Sequence, residues 1–347
     1  MLLPWLALAI QIGPMATGTP NRQPQLAAHG KNVAVAFGAG NAVYCAASTD
    51  SGATFRPPVL VSSNGQLSLG MHRGPRVAYT PGGIVVSAIV GEQGKGRDGD
   101  LLAWQSRDGG KSWSPPVRVN DVVGSAREGL HAMASGGKGT LFAAWLDLRA
   151  NGTRVYGATS TDGGATWSAN RMVYESPSGT VCQCCHPSVA VDGSGNILVM
   201  FRNSLEGSRD LYLTRSADGG NTFEAARKLG RGSWKLEACP MDGGALAVDQ
   251  DDRVTTIWRR EETLFVSDAD GPERSLGPGR NPAVATTRDG AYSAWSEGKA
   301  LWLRRATAAH PEVIAGDGGF PSMAALADGS VVVAWEAKGT IMVRKAR

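Results

Sequence analysis

One eight-residue signature occurs four times in this chain at nearly constant spacing. The copies read Ser48-Thr-Asp50-Ser-Gly52-Ala-Thr54-Phe55, Ser106-Arg-Asp108-Gly-Gly110-Lys-Ser112-Trp113, Ser160-Thr-Asp162-Gly-Gly164-Ala-Thr166-Trp167 and Ser216-Ala-Asp218-Gly-Gly220-Asn-Thr222-Phe223. Their aspartates lie 58, 54 and 56 residues apart. A fixed period of that size means one supersecondary unit repeated, each copy burying its apolar face against the next. Asp-Gly-Gly is turn chemistry, because the carboxylate accepts backbone N–H groups and glycine permits φ > 0. The closing Trp or Phe is placed to plug that turn onto a sheet.

Each unit follows one grammar. A first strand begins near a Pro, a second ends in a large apolar residue, a third runs to the signature turn and a fourth leads out. Second strands are expected at Asn32–Phe37, Gly83–Ile89, Gly139–Trp145, Asn196–Phe201, Arg253–Trp258, Gly290–Trp295 and Gly329–Trp335. Their ends are spaced 52, 56, 56, 57, 37 and 40 residues apart, so the last three units have shortened outer hairpins and have lost the signature. Ser267-Asp-Ala-Asp270-Gly271 reads as its remnant. Seven units predict a closed ring of seven four-stranded blades, with six the alternative count. The seventh unit supplies three strands before the chain stops, so its fourth is expected from Ala9–Gly13. Residues 1–347 then form one domain, with 1–8 a remnant of a signal peptide.

The repeated turn resembles the Asp-box, or BNR repeat, of sialidase-type β-propellers, and the resemblance covers most of the chain. It implies an all-β propeller of antiparallel blades and an exo-alpha-sialidase-like activity, although sialidases themselves usually have six blades.

Composition agrees with such a ring. The chain has 347 residues, 46 of them Gly, and only 19% are charged. Net charge is +4 and no Lys/Arg run is present, which argues against nucleic acid. No stretch of 18 apolar residues exists to span a membrane. An extracytoplasmic monomer is expected.

Strand direction puts the loops leading into first strands and out of second strands on one face, the mouth; the Asp-boxes fall on the other. Two residues before the Pro marker stand Arg22, Arg73 and Arg280, while Gly129, Cys185, Asp242 and Gly319 hold that register in the other units. Converging guanidinium groups suit a carboxylate or sulfate. Sialidases hold the sialic-acid carboxylate with an Arg triad. Arg22, in Asn21-Arg-Gln-Pro24, matches the Arg-x-Pro frame of the first, without the family's flanking aromatic or Ile. Arg202 and Arg259, ending second strands, are further substrate-binding candidates. The resemblance also implies a Tyr nucleophile with a Glu, and an Asp acid/base. Glu128, Asp147 and Asp242 are the mouth carboxylates. No Tyr is expected there, since Tyr79 and Tyr292 lie within strands and Tyr156 and Tyr212 in third strands.

A second constellation is Cys182-Gln-Cys184-Cys185-His186-Pro187, facing Cys239-Pro240-Met241-Asp242 at the next unit. Disulfides are one reading, Cys182–Cys239 or a vicinal Cys184–Cys185 bridge. A copper or zinc site is another, from Cys182, Cys184, Cys185, His186, Cys239 and Met241 with His72 and His131 nearby. Cys182, Cys185 and His186 also fit Cys-x-x-Cys-His, the attachment motif of c-type haem. Three functions follow. The first is sialidase-like hydrolysis of terminal acidic sugars, needing no cofactor and taking an anionic glycan or other carboxylate ligand. The second is a non-catalytic exported propeller that binds a metal, glycan or protein. The third is a uronic-acid lyase with His131 or His72 as base.

Overall fold

The computed structural model describes residues 9–93, 98–126, 129–136, 139–268 and 271–347. Seven antiparallel sheets follow one another along the chain, each built on four strands; the second adds the short Gln66–Leu67, and the seventh takes its outer strand from Ile10–Ile12. Blade one comprises Asn21–His29, Asn32–Ala39, Ala42–Ser48 and Val59–Ser62. Blade four comprises Ser188–Val191, Ile197–Arg202, Leu211–Ser216 and Arg227–Lys228. The seven second strands sit where the repeat placed them, most running one to two residues further toward the mouth. No helix among the described residues is long and apolar enough to cross a membrane.

The ring closes as expected. Ile10–Ile12 adds to the outer edge of blade seven, pairing Ile10 with Val343 and Ile12 with Ile341. Thr340 Oγ1 donates to the Ile12 carbonyl at 2.8 Å and fixes that register.

Most second strands read as near-continuous apolar runs because both of their faces are buried, and the polar residues within them, such as Ser87, Thr256 and Ser293, are buried too. Side chains alternate across a strand. In blade one Val33, Val35 and Phe37 therefore pack toward blade seven, while Ala34 and Ala36 pack toward blade two. In blade four Ile197, Val199 and Phe201 face blade three, while Leu198 and Met200 face blade five. Every junction between neighbouring blades carries its own apolar cluster built this way. Burying a side chain such as Phe201 contributes about 1.5–3 kcal/mol.

The Asp-boxes staple these junctions. Asp50 accepts from Ser48 Oγ at 2.7 Å, from the Thr54 N–H at 2.9 Å and from Thr54 Oγ1 at 2.6 Å. Asp108, Asp162 and Asp218 repeat the pattern. The Thr54 and Ser48 bonds hold the Asp50 carboxyl down at about 2. Each box aromatic packs into the junction with the preceding blade: Phe55 between blades seven and one, Trp113, Trp167 and Phe223 between each later pair. Clefts lie at plugged and unplugged junctions alike, one of about 580 Å³ between blades three and four among them. One of about 300 Å³ lies between blades four and five, and one of about 770 Å³ between five and six. The larger is lined by Asp249, Arg253, Arg274 and Asp289, whose charges are matched within or beside it. Asp270 of the expected remnant lies outside the described residues; Ser267 Oγ donates to the Asp268 and Gly271 carbonyls, a different turn.

Candidate active site

The mouth is built by a repeated irregularity. In blades one, six and seven the first strand bulges just after Arg22, Arg280 and Gly319, confirming that these three positions are equivalent. The next residues, Gln23, Asn281 and Phe320, have φ of 57°, 54° and 50°; Met241 in blade five has 55°. Met71 and His72 in blade two have 52° and 66°. Left-handed backbone at non-glycine residues persists only where surroundings over-determine it, and it gathers at functional sites. With Glu206, Glu261 and Lys338 in the loops leaving second strands, nine such residues lie on this face among the described residues.

Blade two contributes most. Gln66–Leu67 pairs with Val90–Gly91 before the chain leaves the sheet and returns at Arg76. The excursion carries His72 across the ring axis. Its ring stacks on His186 of blade four at 4.2 Å and meets Phe320 of blade seven edge-on at 5.2 Å. Asn281 Oδ1 of blade six accepts from Nε2 at 2.9 Å, which leaves Nδ1 as the lone-pair nitrogen. Burial pulls His72 below its ordinary value against the opposing field of Asp242, so it is neutral near pH 7. Below it lies an axial cavity of about 220 Å³, lined by first-strand residues of every blade. Arg76, which motif spacing did not single out, lines it, and its guanidinium is buried against the carbonyls of His72, Gly74 and Pro75.

The five arginine candidates separate. Arg202 is almost fully buried and donates to the carbonyls of Asp242 at 3.0 Å, Arg259 at 3.1 Å and Arg209. Arg259 is 4% exposed, ion-paired to Asp242 at 2.9 Å and bonded to the Pro240 carbonyl at 2.8 Å. Both lie near the Trp234 ring. Their guanidinium groups hold loops together and face inward. Arg280 is exposed but shares Nη2 between both oxygens of Glu262 at 3.1 Å. The Arg22 side chain is exposed, and no hydrogen bond or ion pair holds its guanidinium among the described residues. Arg73 is half-buried beside Gly129, where a Cβ would come within 3.2 Å of its side chain.

The carboxylates separate as well. Asp147 is buried, gripped by Arg149 through Nε and Nη2 at 2.9 Å each, and takes the Trp145 indole N–H at 2.8 Å. That saturates it. Glu128 lies outside the described residues. Asp242 Oδ2 meets Arg259 and the Asn281 N–H, while its buried Oδ1 has no partner among the described residues. Glu336, at the mouth end of the second strand of blade seven, was missed as a catalytic candidate. Its Oε1 accepts the Gln23 N–H at 2.6 Å and Gln23 Nε2 at 3.0 Å. Burial pushes its carboxyl up, opposed by those bonds and by the nearby Arg22 charge. Its signal was its place one residue after the aromatic that ends a second strand, the register of Arg202 and Arg259. As expected, none of the six Tyr reaches this cluster: Tyr44, Tyr156 and Tyr212 lie on third strands, Tyr174 on a fourth, Tyr79 and Tyr292 inside blades two and six.

His131 is buried on the first strand of blade three, with Nε2 3.0 Å from Ser87 Oγ. Burial drives it well below its ordinary value. The cysteines are all free. Neither expected disulfide is formed, because Cys182 turns to Cys184 and Cys185 at 3.6 and 3.5 Å, beyond the S–S bond length of about 2.05 Å. Cys184 and Cys185 stand 4.0 Å apart. The Cys182 and Cys185 sulfurs of the Cys-x-x-Cys-His motif stand 3.5 Å apart, and its His186 ring is stacked on His72.

The sequence model of the BNR repeat-like domain matches residues 77–333. This chain belongs to that family. Similar solved structures include the Hadza microbial sialidase Hz136, at 15% identity and TM-score 0.56, over 94% of this chain and 66% of that one. The alpha-L-arabinofuranosidase of Fusarium graminearum in complex with arabinobiose matches at 13% and 0.59, over 98% and 97%. An ulvan lyase bound to a glucuronic acid–rhamnose sulfate unit matches at 10% and 0.57, over 96% and 95%. At these identities the likeness establishes the fold. No curated protein matches the chain.

Proposed function

We propose that this BNR propeller cleaves glycans bearing an acidic sugar, with the mouth face as its active site. The observation that carries this reading is that exposed Arg22 lies near enough to the half-buried Glu336 for its charge to act on that carboxyl. Arg22, with Arg73 in the equivalent register of blade two, is suited to hold a sugar carboxylate by charge-assisted hydrogen bonds. Glu336 is suited to act as general acid. Gln23 occupies Oε1 twice, so Oε2 is the oxygen that carries the proton, and burial keeps that proton on at higher pH. In hydrolysis the proton passes to the glycosidic oxygen as the C–O bond breaks, and water adds at the anomeric carbon. Asp242, through its unpartnered Oδ1, is the candidate to activate that water. A sialidase-like substrate, a terminal carboxylated sugar, fits this set, though without the Tyr nucleophile.

Elimination is a second reading, favoured by the neutral His72. Its Nδ1 would take the proton next to a uronate carboxylate neutralised by arginine, while the bond to the 4-oxygen breaks and leaves an unsaturated sugar.

A fluorogenic sialoside and a uronate polysaccharide, each offered to wild type, Arg22→Ala, Glu336→Gln and His72→Ala, test these readings. Loss of a charged hydrogen bond, about 1.5–3 kcal/mol, predicts a kcat/KM drop of about 10- to 100-fold for Arg22→Ala. Unchanged turnover in both Arg22→Ala and Glu336→Gln would sink the acidic-sugar site. An ultraviolet-absorbing unsaturated product that depends on His72 and not on Glu336 would replace hydrolysis by elimination.

A further inference from the structure

The segment before blade four folds back on itself so that three thiols meet. Their sulfurs form a triangle with edges of 3.5, 3.6 and 4.0 Å. Cys182, Cys184 and Cys185 are 2%, 7% and 2% exposed, so the triangle is walled off from water. An ion bound to thiolates at about 2.3 Å holds its sulfurs about 3.8 Å apart in a tetrahedron and about 4.0 Å apart in a plane. The three edges already span that spacing. Little movement separates these thiols from a coordination shell.

The surroundings say which ion. Met241 packs against the triangle from the loop before blade five, its backbone held at φ 55°. A thioether is a soft ligand suited to copper(I) and is not among the usual ligands of structural zinc. His186, the borderline ligand that zinc would favour, has its ring stacked on His72. Cys239 is exposed at the rim and its thiol reaches Cys184. We propose that Cys182, Cys184, Cys185 and Met241 form a binding site for a soft monovalent metal ion, copper(I), with Cys239 as the accessible thiol through which the ion enters or leaves. The site uses none of the residues assigned above to glycan cleavage.

Binding must displace protons. The neighbouring Cys184 thiol pushes Cys182 up to about 11, and burial pushes Cys185 up to about 12. Affinity therefore rises with pH.

The test is an anaerobic titration of the reduced full chain with copper(I) against a competing chelator, and separately with zinc. The expected result is one copper(I) per chain, held against the chelator and not displaced by equimolar zinc, with proton release. Cys184→Ser should weaken it by at least about 100-fold, since even changes to groups behind the ligands cost about 10- to 100-fold. Met241→Leu, which keeps the packing volume, should weaken copper(I) by about tenfold and leave zinc affinity alone. Cys45→Ala, at the buried thiol of blade one, should change nothing. No copper bound, a zinc ion preferred over copper, equal copper affinity in Cys184→Ser, or a disulfide among the three thiols in the purified chain would each overturn the proposal.

Discussion

The two faces of this ring solve the same geometric problem with opposite chemistry. On the Asp-box face each of the four boxed turns closes on itself: a carboxylate, hydroxyls and a few N–H groups within seven residues satisfy one another. On the mouth face the partners come from far along the chain. Asp242 needs Arg259, His72 needs Asn281, and Glu336 needs Gln23 from the other end of the sequence. The boxed face is stabilised by local bonds near water, the mouth by buried charges and strained backbone that bring groups from all seven blades to one axis. Such an arrangement is costly for stability and suited to chemistry.

Mutation of the buried ion pair probes that contrast hardest. Arg259→Leu leaves Asp242 charged, buried and unpaired, and should cost about 3–5 kcal/mol in denaturant unfolding. Asp50→Asn, at an exposed box, should cost far less. Equal losses would erase the distinction between the faces.

Acid should separate the faces next. Buried neutral His131 must be unpaired from its burial to take a proton, so the unfolded chain binds more protons below 6.5 and stability falls as pH drops through that value. Its slope approaches about 1.4 kcal/mol per pH unit. The box carboxyls are depressed, to about 2 at Asp50 and Asp218, where the Thr54 and Thr222 hydroxyl bonds lead the effect. Their contribution is present above the ordinary value of 3.8 and is lost only as pH falls toward 2. Unfolding free energy measured from pH 7 to pH 3 should decline first through the histidine window. A flat profile down to 4 in wild type, or the same profile in His131→Gln, would contradict this.

The smallest effect belongs to the box turn itself. Gly164 has φ of 91°, and an added Cβ would meet Val85 at 3.2 Å and Leu141 at 3.4 Å. Gly164→Ala should cost about 1–2 kcal/mol in thermal unfolding with no change in any activity.

Much of the architecture could be read from the chain because its determinants are local and repeated. The period of the box aspartates, the aromatic ends of second strands and the spare Ile10–Ile12 segment each needed only a few residues to interpret. Seven blades and their closure followed. The mouth register was legible too, since Arg22 and Arg280 occupy matching bulges. Side-chain direction was not. Arg202 and Arg259 share a register with Glu336, yet the first two turn onto carbonyls supplied by neighbouring loops. Only the approach of another blade decides that, and no spacing rule reports it. Asp147 likewise has the residue type and face of a catalytic carboxylate, yet Arg149, two residues on, grips both its oxygens. The thiol triangle was visible as a motif, but its edge lengths depend on how one short loop folds back.

The closure of blade seven also sets a timetable. Ile10–Ile12 is synthesised long before Thr340–Ala346, the strand it must pair with. The strands of all seven blades lie between the two segments in sequence, and contacts of such long separation form slowly. Until then the edge of blade seven is an open template, and the same segment of another nascent copy fits it equally well. The latch that completes the ring is thus also the place where crowded synthesis would link two rings into one.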